Sequence, residues 1–64
     1  MRRTETVYLQ HILDAIKRIE SYLDGVSAER FLLEGLLQDR VVRQLEIIGE
    51  ASRNISDELR RKYS

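Results

Sequence analysis

Sixty-four residues with eleven basic and eleven acidic side chains carry no net charge, which excludes a global field drawing the chain to nucleic acid or to an anionic membrane. There is no cysteine, so disulfides and thiolate metal sites are excluded together, as suits a cytosolic chain. A chain this short buries only about 60% of its unfolded surface, and without such staples its stability is marginal unless it finds a partner.

Proline is absent and glycine occurs only at Gly25, Gly35 and Gly49. A third of the residues are charged, and the aliphatics recur at spacings of three and four, which predicts a single all-α domain over residues 1–64. The expected architecture is an antiparallel helical bundle of two long helices and two short ones. No signal peptide and no apolar run long enough to span a bilayer is visible, so a soluble, cytoplasmic chain is expected.

The first helix is expected to start at a Thr4 cap, with Glu5 in the first turn where a carboxylate suits the positive helix end. Tyr8, Ile12, Ala15, Ile19 and Tyr22 line one face, and Leu9, Leu13, Ile16 and Leu23 widen it to nearly half the circumference. A band that wide calls for two or more neighbours. Gly25 suits the left-handed position just past the helix end. Ser27 then caps a short helix over residues 28–34 carrying Phe31, Leu32 and Leu33, and Gly35 marks a bend.

The third helix, over residues 37–55, organises the rest. Leu37, Val41, Leu45, Ile48, Ser52 and Ile55 fall along one band, flanked by Ile47 and Ala51 on one side and by Val42 and Gly49 on the other. Tyr8, Ile12, Ile19, Val41, Leu45 and Ile48 are therefore the expected core and dimer residues. Gly49 lies mid-helix, where propensity disfavours it, so a tight helix crossing is expected there. Ser56 reads as the cap of a final short helix, with Leu59 and Tyr63 covering the end of the bundle. Two long and two short helices leave apolar surface uncovered, so the bundle is expected to be completed by a second copy or by C-terminal helices beyond this chain.

Few residues carry chemistry. His11 is the single histidine, with only Asp14 at i+3 and no E-x-x-H pair, so no metal or other cofactor is expected. It reads as a histidine at the edge of a core. Asp39, Arg43, Glu46 and Glu50 form a charged stripe opposite the apolar band, where Asp39–Arg43, Arg43–Glu46 and Glu50–Arg53 are expected to pair along the helix. Glu46 and Glu50 are like charges one turn apart, an unfavourable spacing that marks the stripe as a candidate cleft or partner surface. Gln44 and Ser52, in or beside the apolar band, need hydrogen-bond partners if buried. Arg2 and Arg3 at the start, and Arg60, Arg61 and Lys62 at the end, read as solvated helix ends. There is no glycine-rich phosphate loop, nucleophile elbow or Ser/His/Asp set.

Two segments, Tyr8-Leu9-x-His11-Ile12-Leu13-x-Ala15-Ile16 and Gln38-Asp39-x-Val41-x-Arg43-x-Leu45-Glu46-Ile47-Ile48-Gly49-Glu50-Ala51, resemble the N-terminal half of the HepT-like branch of the HEPN superfamily. Ser56-x-Glu58-Leu59-x-x-x-Tyr63 is similar to the short element that follows there. The resemblance implies a dimerising helical bundle and a metal-independent ribonuclease toxin, neutralised by a nucleotidyltransferase-type antitoxin. It further implies a catalytic arginine followed, after four to six residues, by histidine. In such a pair histidine transfers protons at the RNA 2′-hydroxyl while arginine stabilises phosphate charge.

Here the nearest arginine before His11 is Arg3, with seven residues between them, so the motif is absent and no catalytic residue carries over. The positions that do carry over are Asp39, Arg43, Glu46 and Glu50, near the family's dimer cleft. The expectation is a truncated HepT-like protein, inactive by itself, whose parent acts on RNA. The competing reading is a complete, non-catalytic homodimeric interaction module.

Overall fold

The computed structural model describes residues 3–63, with side chains from Glu5 onward. Three α-helices follow one another: α1 (Arg3–Leu23), α2 (Ala28–Leu33) and α3 (Gly35–Tyr63). No strand occurs among the described residues, so the all-α architecture stands. The expected cap at Thr4 and the basic pair Arg2 and Arg3 lie outside the described side chains.

The turn after α1 forms as the sequence suggests. Gly25 takes φ 69°, and the Val26 amide donates to the Leu23 carbonyl at 3.0 Å. Ser27 is extended (φ −75°, ψ 160°), and its hydroxyl accepts from the Arg30 amide at 3.1 Å, which caps α2. The bend between α2 and α3 falls on Glu34 (φ −111°, ψ 93°), and Gly35 is the first residue of α3. Gln38 explains the sharpness of this corner. Its side-chain amide donates to the Leu32 carbonyl at 3.2 Å and to the Phe31 carbonyl at 2.9 Å. The Phe31 carbonyl also accepts from the Glu34 amide, so Gln38 ties α3 to the end of α2.

Two long helices and one short one replace the expected two and two. The chain does not break at Ser56, and α3 runs unbroken to Tyr63. Nothing between Ala51 and Tyr63 can stop it, since the stretch holds neither glycine nor proline. Ion pairs at i,i+3 brace the last turns, Arg60–Asp57 at 3.8 Å and Arg61–Glu58 at 2.6 Å. Leu59 and Tyr63 do not cover the bundle end, because both stay exposed, and Lys62 lies over the Tyr63 ring at 5.4 Å.

Helix α3 packs along α1 in an antiparallel hairpin 46 Å long and 16 Å wide. Tyr8, Ile12, Ala15, Ile19 and Tyr22 of α1 face α3 as the periodicity predicts, each buried or half-buried. On α3 the buried line is Leu37, Val41, Gln44, Ile48, Ala51 and Ile55. It is rotated from the expected band, so that Gln44 and Ala51 face α1 while Leu45 (54% exposed) and Ser52 turn outward.

The cause is the placement of small side chains. Ala15 (0% exposed) and Ala51 (3%) are the most deeply buried apolar residues, and their size lets the two backbones come together. The crossing expected at Gly49 is not made within this chain. A Cβ built on Gly49 meets nothing within 4 Å, and alanines take the role assigned to that glycine. Besides these two alanines, Val41 is the only other buried hydrophobic residue among those described, and no large side chain is fully buried.

Candidate functional site

The hairpin has two broad sides, and they differ in chemistry. On one side the neighbours of the core line are His11, Asp14 and Arg18 on α1 and Ile47, Glu50 and Asn54 on α3. They enclose two adjoining hollows that share His11 and Ile47. One, of about 320 Å³, is lined by Tyr8, His11, Ile47, Glu50, Ala51 and Asn54. The other, of about 340 Å³, is lined by His11, Asp14, Arg18 and Ile47.

Ile47 and Ala51 make an apolar floor, and the rim carries an imidazole, two carboxylates, a guanidinium and an amide. Tyr8 meets His11 edge-on, with ring centroids 6.4 Å apart and an interplanar angle of 72°. Asp14 accepts from the Gln10 side chain at 2.9 Å. Such a groove can hold a polar group against a flat apolar surface. Among the described residues no three His, Cys, Asp or Glu come together as a metal set.

The charged stripe is placed less compactly than its spacing suggests. Asp39, Arg43, Glu46 and Glu50 are all exposed. Asp39, Arg43 and Glu46 run along the back of α3, away from α1, and only Glu50 reaches the groove. None of the expected pairs Asp39–Arg43, Arg43–Glu46 and Glu50–Arg53 forms. Among the described residues, ion pairs join Arg30 to Glu34, Arg60 to Asp57 and Arg61 to Glu58. Arg43 and its acidic neighbours are left solvated, with their charges unspent inside the chain.

Sequence reasoning missed Arg18 and Asn54 as groove residues and set His11 apart from Glu50. The signal was available in the antiparallel pairing of the helices. It needed the rotation of α3 about its axis, which the two alanines set.

The other broad side carries Leu9, Leu13 and Ile16 of α1 beside Val42, Leu45, Gly49 and Ser52 of α3, all exposed. Among the described residues no helix is long and apolar enough to cross a membrane.

A family model described as ribonuclease HepT-like matches residues 12–64. The chain belongs to the HepT-like ribonuclease family. Over all 64 residues this HepT-like chain is 44% identical to a Methanocaldococcus jannaschii protein named as both a gamma-glutamylcyclotransferase and an RNase, covering 29% of that relative's length. It is 43% identical over 63 residues to a Thermococcus cleftensis protein named for ribonuclease HepT, covering 98% of the chain and 57% of the relative. A Caldanaerobacter subterraneus protein named as an RNase is 40% identical over 62 residues, covering 97% of the chain and 55% of the relative. The HepT-like chain thus spans between a quarter and three-fifths of the length of these relatives. No solved structure matches it.

Proposed function

We propose that these 64 residues form the supporting hairpin of a HepT-like ribonuclease, holding the assembly without themselves cleaving RNA. The observation that carries this reading concerns histidine. The family match begins at Ile12, one residue after His11, the only histidine of the chain. The matched span therefore holds no imidazole to move the 2′-hydroxyl proton, and no arginine precedes His11 at the spacing of the motif that the resemblance implies. The whole protein would act on RNA as a toxin held in check by a nucleotidyltransferase-type antitoxin.

The test is incubation of the 64-residue chain with single-stranded RNA in the presence of a chelator. No cleavage above the blank is expected. Cleavage that disappears in His11→Ala would overturn the reading and move catalysis into the groove shared by His11, Arg18 and Glu50.

Contact with the antitoxin is assigned to the back of α3, where Asp39, Arg43 and Glu46 are exposed and unpaired among the described residues. Because Arg43 makes no ion pair, Arg43→Ala should change stability by no more than about 0.5 kcal/mol. A marked loss of antitoxin binding at that unchanged stability is the expected result. Unchanged binding would remove the stripe from the interface.

A further inference from the structure

Three elements meet at the end of the hairpin where the chain turns, and the hollow between them, of about 420 Å³, shares no residue with the His11 groove. The last turn of α1 contributes Ser21 and Tyr22, and the turn after it contributes Val26. Arg30 comes from α2 and Glu34 from its C-cap, while the first two turns of α3 supply Leu36, Leu37 and Arg40. A hollow of this size is within the range that holds a small organic ligand. Val26, the two leucines and the Tyr22 ring give it an apolar wall. Its polar groups are two guanidinium groups, two hydroxyls and one carboxylate.

The charges at this site do not cancel. Arg30 holds the Glu34 carboxylate in an ion pair. Arg40 makes no ion pair among the described residues. Its own helix offers it no partner one turn away, because positions 36, 37, 43 and 44 are leucine, leucine, arginine and glutamine. The same hollow takes in the start of α3, a helix of 29 residues with no acidic residue in its first turn. The first amides of a helix have no acceptor within it and carry its positive end. The side-chain hydroxyls of Ser21 and Tyr22 have no hydrogen-bond partner among the described residues. An uncancelled guanidinium, the positive end of a helix and two idle hydroxyls together favour an anion with several acceptor oxygens.

We propose that this hollow binds a nucleotide, with its phosphate held by Arg40, the start of α3 and the two hydroxyls, and its base against Val26, Leu36 and Leu37. A carboxylate would satisfy the guanidinium but has too few oxygens for the hydroxyls and amides as well, whereas a phosphate has enough. Inorganic phosphate would leave the apolar wall in water, and a flat organic group covers it. A free mononucleotide and the phosphorylated end of an RNA chain present this same chemistry. The site uses neither the His11 groove nor the stripe of Asp39, Arg43 and Glu46, so it stands whether or not this chain cleaves RNA.

Titration of the chain with AMP, followed by amide chemical shifts, is expected to move residues 21–26 and 34–40 and to leave residues 8–14 and 47–54 in place. Arg40 is exposed, so Arg40→Gln should keep the helicity seen by circular dichroism while weakening AMP about tenfold, the loss of one charge-assisted contact. Tyr22→Phe, which removes only the hydroxyl, should weaken it less. Arg53→Gln removes the same charge from an exposed position farther along α3 and should change nothing. Adenosine and inorganic phosphate should each bind more weakly than AMP. A 5′-phosphorylated hexa-adenylate then separates the two sources. Binding tighter than that of AMP, lost in Arg40→Gln, assigns the site to an RNA end, and weaker binding assigns it to a free nucleotide. No binding of AMP, shifts centred on residues 8–14 and 47–54, or adenosine or phosphate binding as well as AMP would overturn the proposal. So would AMP binding that Arg40→Gln leaves unchanged or that Arg53→Gln weakens equally.

Discussion

Gln44 sits in the middle of the α1–α3 contact, 7% exposed, and its side-chain Oε1 is buried without a hydrogen-bond partner. An unsatisfied buried acceptor costs about 1–3 kcal/mol, because water that once solvated it is not replaced. Gln44→Leu keeps most of the volume and removes the acceptor. It should therefore raise stability by about 1 kcal/mol, read as a higher urea midpoint at unchanged slope. A lower midpoint would mean that Gln44 finds a donor and holds the helices in register. Gly25 is the opposite case. Its surroundings are open, but its φ of +69° is one that side chains with a Cβ rarely adopt. Gly25→Ala should cost about 1 kcal/mol through the backbone alone, and Gly25→Asn less, since asparagine tolerates the left-handed region.

At the scale of elements, two serines that look alike in sequence turn out to differ. Ser27 and Ser56 each precede an acidic helical turn and each reads as a cap. Only Ser27 is extended and accepts from a backbone amide, whereas Ser56 lies inside α3. Ser27→Ala should cost about 1 kcal/mol. Ser56→Ala should instead stabilise by a few tenths of a kcal/mol, because alanine is the better helix former. Equal losses in thermal unfolding followed by circular dichroism would mean that α3 is broken at Ser56 after all. A cap signal shows where a helix can begin, but not whether the preceding one has ended. Without glycine, proline or a competing contact between Ala51 and Tyr63, helix propagation wins. The bend at Glu34 follows the same logic in reverse, since there Gln38 supplies the competing hydrogen bonds.

For the whole molecule, a core whose buried hydrophobic residues are Ala15, Val41 and Ala51 leaves little apolar area to offset the entropy of ordering some sixty residues. If self-association supplies the missing area, the melting temperature should rise with chain concentration. A melting point independent of concentration over a hundredfold range would detach folding from self-association.

The all-α class, the core face of α1, the glycine turn and the Ser27 cap were legible from residue spacing and identity, and the HepT-like family from the resemblance of two segments. These depend on local periodicity, on backbone sterics or on residue identity, all carried by short stretches of chain. The tertiary structure decided the rotation of α3 about its axis, and with it that Gln44 is buried, that Leu45 and Gly49 are exposed, and that Glu50 joins His11 in one groove. An apolar band nearly half a helix wide allows several rotations. The one adopted is chosen by where Ala15 and Ala51 let two backbones approach, and that is a relation between residues far apart in the chain.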